Sequence, residues 1–150
     1  MLRTEASSYL VEEYRELADE VGFTTDQTTS AYSVAMDMAL RQMGYEETAL
    51  SSADVPQADV LKYLALLNYY ALNRFLKVLA KERDTAAGSG AINIKDSQMF
   101  DQVSKLLGIA AQEVAGFGID IGGIGAYKMG RINLDFLEPS TGLTEFSYGL

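Results

Sequence analysis

The sequence predicts an all-α fold: a four-helix, bundle-like domain with a long central third helix, followed by a glycine-rich C-terminal arm with extended or β structure. Three observations predict it. Apolar residues recur at spacings of three and four through residues 6–115. A helical stretch of nearly thirty residues, about 56–84, carries two apolar stripes rather than one. Beyond Gly116 the helical period stops, and residues 116–150 hold eight of the thirteen glycines.

The first helix is expected over about 6–21. Leu10, Tyr14, Leu17 and Val21 form one stripe, Ser7 or Ser8 can cap it, and Gly22 supplies a left-handed stop. Glu13, Glu16 and Glu20 line its outer side. A threonine-rich stretch leads to a second helix, about 26–43, burying Tyr32, Met36, Ala39, Leu40 and Met43 and ending at Gly44. Pro56 suits the first turn of the third helix, with Ser52 or Asp54 as a cap. In that helix Val60, Leu64, Leu67, Ala71, Phe75 and Val78 make one stripe, and Leu61, Ala65, Leu72, Leu76 and Leu79 a second. Two stripes imply burial on two sides, as for the central helix of a bundle. Arg74, Lys77, Lys81 and Arg83 fall in its expected last turns, where cations complement the helix dipole; they also form a basic patch able to make an ionic contact with an acidic neighbouring subunit. DTAAGSGAINIKDS reads as a flexible turn and a short extended piece. Asp96 or Ser97 then caps a fourth helix to about Ala115, burying Met99, Phe100, Val103, Leu106, Leu107, Ala110 and Val114.

In the arm, Ile132, Leu134 and Phe136 alternate with polar residues, and Phe146, Tyr148 and Leu150 alternate again after a PSTG turn. An isolated hairpin is marginal in water. The arm is therefore expected to complete a sheet on a partner by strand addition, with Ile132, Leu134, Phe136, Phe146 and Tyr148 as the docking residues.

Composition narrows the chemistry. The 150 residues include no Cys, His or Trp, which excludes thiolate and imidazole catalysis, disulfides and the usual zinc, haem and iron–sulfur ligands. No cofactor or metal and no catalytic activity are expected. The net charge of −9 is polarised. Residues 1–60 carry twelve acids against three bases and the remainder nine of each, so the surface repels nucleic acid backbone. No apolar run approaches a membrane span, and the acid-bearing start MLRTEASSYLVEEYRE is unlike a signal peptide. A soluble protein made in the cytoplasm is expected.

The one candidate for chemistry is Glu12-Glu13-x-x-Glu16. Carboxylates so spaced share a helix face and could hold Mg²⁺, and the spacing is similar to the EExxE motif of all-α nucleotide pyrophosphohydrolases. Those enzymes also need an ExxD motif on a later helix. Here the second helix offers only Asp37, and Glu16–Asp19 overlaps the first motif instead of facing it. The glycine cluster contains no GxxxxGK[ST], and Lys128 stands where a dinucleotide fingerprint needs glycine. A helical DNA-packaging or regulatory protein is a further alternative, against which the negative charge speaks.

EYRELADEVG, TSAYSVAMDMALRQMGYEE, LKYLALLNYYALNRFLKVLAKERD and SQMFDQVSKLLGIAAQEVAGFGID together resemble the head–tail connector (adaptor, or neck) proteins of tailed bacteriophages in helix order, relative lengths and the Gly/Ser break before the last helix. The resemblance covers about residues 6–115. It implies a structural virion protein: a homo-oligomeric ring, usually of twelve copies, docked on the portal protein between capsid and tail. A stopper or tail-completion protein would bind the far side, and DNA would pass through without sequence-specific contact. Under that implication Glu12, Glu13, Glu16 and Glu20 are expected to face the channel.

Overall fold

All four stretches of helical periodicity are helices in the computed structural model, which describes residues 1–88 and 94–121, with the backbone alone over 83–88 and 94–96. They are α1 (Arg3–Val21), α2 (Thr25–Gln42), α3 (Val60–Gly88) and α4 (Ile94–Gly116), with 3₁₀ turns at Glu47–Ala49 and Gln57–Asp59. The described chain is mostly helical and contains no strand beyond an isolated Leu2–Asp54 bridge. The alternating segments of the arm lie outside the described residues.

Helix boundaries follow local hydrogen bonding, and several differ from expectation. α1 starts at Arg3, four residues before the anticipated serines. The Leu2 amide donates to the Glu5 carboxylate at 2.6 Å, the backward half of a capping box, so an acid in the first turn fixes the helix entry upstream of the serines. Ser8 lies inside the helix and its hydroxyl donates back to the Thr4 carbonyl at 3.0 Å. At the other end Gly22, at φ +81°, allows the Phe23 amide to reach the Ala18 carbonyl and the Gly22 amide the Asp19 carbonyl, a Schellman closure. α2 opens on a reciprocal box: the Gln27 amide donates to Thr24 Oγ1 and the Thr24 amide to Gln27 Oε1. It closes as α1 does, on Gly44 at φ +91° with the Tyr45 amide on the Leu40 carbonyl.

Pro56 does not open α3. It precedes the 3₁₀ turn, whose Asp59 amide bonds the Pro56 carbonyl, and the α-helix begins at Val60. α3 then continues to Gly88, because Thr85, Ala86 and Ala87 contain no helix breaker. The 29 residues extend about 43 Å. Its C-terminal carbonyls therefore lie beyond Arg74, Lys77, Lys81 and Arg83, and no basic residue occupies the last turn. The dipole role expected of that patch is not met. α4 begins at Ile94, so Asp96 and Ser97 stand within its first turns rather than capping it; of the segment expected to be a turn and an extended piece, residues 89–93 lie outside the described residues.

α3 is the axis of the core. α2 and α4 pack extensively along it, while α1 rests more sparingly on α2 and α3. Tyr63, Leu66, Leu67, Tyr69, Ala71 and Phe75 are buried around its circumference, which realises the two-sided burial read from its stripes. Phe75 sits at the junction of three other rings, with centroids at 5.7 Å (Tyr14), 5.0 Å (Phe23) and 5.9 Å (Tyr32). Two expected core residues are exposed, and Val21, Met43, Val60, Leu64, Leu76, Val78 and Phe100 are half-buried. Leu61 is 70% exposed, since it lies in the first turn of α3, and Leu106 is 36% exposed beside a groove.

Polar clips complete the packing. Arg3 donates to Asp37 Oδ1 at 2.6 Å, to Ser33 Oγ at 3.3 Å and to the Leu50 carbonyl at 3.4 Å, joining α1, α2 and the connector between α2 and α3. The Val55 amide donates to the Met1 carbonyl at 3.0 Å, and the Met1 amino group donates to Asp54 at 2.9 Å. Among the described residues no buried side-chain polar atom lacks a partner.

Candidate functional site

Because α1 and α4 both lean on α3 without packing extensively against each other, a groove of about 320 Å³ opens between them. Glu13, Glu16 and Glu20 follow the helical spacing of three and four and form its α1 bank. Gln102, Leu106, Ile109 and Glu113, spaced four, three and four, contribute the α4 bank, while Tyr14, Leu17, Asn68 and Leu72 line the rest with Ala110.

The floor at one end is a hydrogen-bonded knot. The Tyr14 hydroxyl donates to Asn68 Oδ1 at 3.0 Å; the Tyr9 hydroxyl lies 3.1 Å from the same oxygen, and Asn68 Nδ2 donates to Tyr9 at 3.0 Å. Burial pushes the Tyr14 phenol far above its usual range, with Tyr9, Glu13, Tyr32 and Glu113 adding to the rise. Tyr9 is also raised by burial, partly offset by its bond to Asn68, with Glu13 and Glu113 adding. Both hydroxyls thus feel one carboxylate from each bank, and both remain protonated donors over the physiological range.

The glutamates expected to act together are divided. Glu13, Glu16 and Glu20 share the groove, whereas Glu12 lies outside the groove lining and accepts from Arg15 at 2.6 Å. Among the described residues, no group of three acidic side chains is placed to hold a metal ion. Glu113 joins the site from the opposite helix. In sequence its only signal is its place four residues after Ile109 on the stripe that includes Leu106.

Arg74, Lys77 and Lys81 are exposed on α3. Arg83 is on the same helix, with its side chain outside the described residues. Ile132, Leu134, Phe136, Phe146 and Tyr148 lie wholly outside them. A second, smaller cleft of about 250 Å³ runs between α1 and α2, lined by Val11, Arg15, Asp19, Phe23, Thr25, Thr28 and Thr29 among others. No described helix is long and apolar enough to cross a membrane. Comparison with protein-family models, with curated proteins and with solved structures found no match to this chain.

Proposed function

We propose that the chain is a structural protein of the tailed-phage virion: a head–tail connector whose copies form a ring on the portal protein, twelve to the ring as the resemblance implies. A stopper or tail-completion protein occupies the far side, and DNA passes through without being gripped. On this reading residues 1–115 form a bundle-like domain. The arm, through Ile132, Leu134, Phe136, Phe146 and Tyr148, adds strands to the portal or to a neighbouring subunit.

The observation that carries the reading is the combination found on one helical domain of concentrated negative charge and exposed apolar residues. The negative charge concentrated in residues 1–60 disfavours a grip on duplex phosphate, while Leu106 and Ile109 stand open on α4 as in a surface that meets protein. The helix lengths of 19, 18, 29 and 23 residues, longest in the third place, add support through the resemblance.

The test is made on particles. Virions from a culture expressing an epitope-tagged chain are purified on a density gradient, digested for quantitative peptide mass spectrometry, and imaged with gold-labelled antibody. The connector reading expects the chain in a fixed ratio to the portal protein, with label at the neck. Its absence from purified particles, or label elsewhere on the capsid, overturns the reading.

A further inference from the structure

The groove between α1 and α4 has two characters at once. Its banks are negative, with Glu13, Glu16 and Glu20 facing Glu113, and none of the four makes an ion pair with a described residue. Between them Leu106 and Ile109 are 36% and 55% exposed. A wall that only repels DNA gains nothing from exposed leucine and isoleucine, whereas covering them with protein is favourable. The occupant that suits both characters is a row of long cationic side chains. Their heads reach carboxylates while their methylene stems lie on apolar surface.

The chain carries such a row itself. Arg74, Lys77 and Lys81 are spaced three and four apart on α3 and exposed, and Arg74 and Lys77 make no ion pair with a described residue. Tyr70, half-buried one turn before Arg74, extends the stripe. Nine positions along a helix amount to about two and a half turns, so Lys77 stands opposite Asn68, which floors the groove. Stripe and groove occupy opposite sides of α3; they cannot meet within one chain, but they can meet between two.

We infer that the α1–α4 groove receives the Arg74–Lys77–Lys81 face of α3 from a second copy of this chain, in a head-to-tail contact. Such a contact is heterologous: each copy gives its stripe to one neighbour and its groove to the other, and the series closes into a ring when the rotation permits. The inference rests on the connector reading only for that closure. It moves Glu13, Glu16 and Glu20 from the channel wall to the subunit contact, leaving Glu12 outside it.

Charge reversal with rescue tests the contact on the full chain. One variant carries Arg74→Glu and Lys77→Glu, the other Glu16→Lys and Glu20→Lys. All four positions are exposed, so circular dichroism and melting should match the unsubstituted protein. In sedimentation velocity, the unsubstituted chain should associate with an affinity that falls as salt rises. Each variant alone should associate at least about tenfold more weakly. An equimolar mixture should associate again, because the acidic stripe of the first now meets the basic groove of the second and the reverse pairing is also complementary. A monomeric unsubstituted chain, variants that associate undiminished, or a mixture without rescue each overturns the groove contact. None of these results bears on the particle experiment, so failure of the contact and failure of the connector reading are told apart.

Discussion

Replacing Phe75 with alanine removes the ring on which α1, α2 and α3 converge. Phe75 is 1% exposed and touches Tyr14, Phe23 and Tyr32, so the side chain leaves a cavity lined by three rings that cannot all collapse into it. Buried Phe→Ala changes cost about 3–5 kcal/mol, and edge-on or tilted ring pairs contribute about 0.5–1.5 kcal/mol each beyond area. The terms overlap, which places the expected loss near 4 kcal/mol, a large share of the roughly 5–15 kcal/mol that holds a domain together. Phe75→Leu, which keeps most of the volume, should cost about 1–2 kcal/mol. Urea unfolding followed by far-ultraviolet circular dichroism measures both, with the slope of free energy on urea unchanged. A loss below about 1.5 kcal/mol for the alanine variant would refute the placement of Phe75 at the centre of the core, since only a partly exposed or loosely packed ring is so easily dispensed with.

Asn68→Leu leaves the Tyr9 and Tyr14 hydroxyls without their shared acceptor; a loss of about 1–3 kcal/mol is expected in the same unfolding assay, and a neutral result would show that the knot is not formed. Gly22→Ala and Gly44→Ala should each cost about 1–2 kcal/mol through backbone conformation alone, because an added Cβ meets nothing within 4 Å at either position while φ is +81° and +91°. Above pH 10 stability should fall. Burial raises the Tyr32 and Tyr63 phenols to about 12, so the unfolded chain, with phenols near 10, releases protons first. The contribution of these groups is complete below the unfolded value and is lost as pH rises through the folded one. Ultraviolet phenolate absorbance should therefore show an early phase from exposed tyrosines and a later phase coincident with unfolding; one simple transition near pH 10, with the helical signal intact, would contradict that burial.

The four helices were legible because each bears its own apolar period, and α3 showed its central place through two stripes. Boundaries were less so. Ser7 and Ser8 have the chemistry of caps, but the helix already runs from Arg3, its entry fixed by the Leu2 amide on Glu5, and nothing local to the serines reveals that earlier start. Asp84–Gly88 resembled a turn because of the glycines that follow, yet threonine and two alanines propagate a helix already stabilised by packing upstream. The acidic face of α1 was visible as a spacing, but its division was not. Glu12 was separated from Glu13, Glu16 and Glu20 by the azimuth at which α4 lies across α3, a tertiary fact with no single-residue signature. The same fact brought in Glu113 and left Leu106 partly bare. The alternating residues from Ile132 to Tyr148 were legible as a pattern, and the described residues end before them.

The sparing attachment of α1 has a dynamic consequence. α2 and α4 clasp α3 along much of its length, whereas α1 is held by a few buried residues, the Tyr–Asn68 knot and the Arg3 clip. Opening free energies within a fold scale with such attachment, so the amides of α1 should exchange with solvent earlier than those of α3, as a cooperative unit of their own. One bank of the groove belongs to that unit. Any occupant that bridges α1 to α4 therefore fastens the least secure helix to the most secure pair, and its binding free energy is registered as slowed exchange along α1.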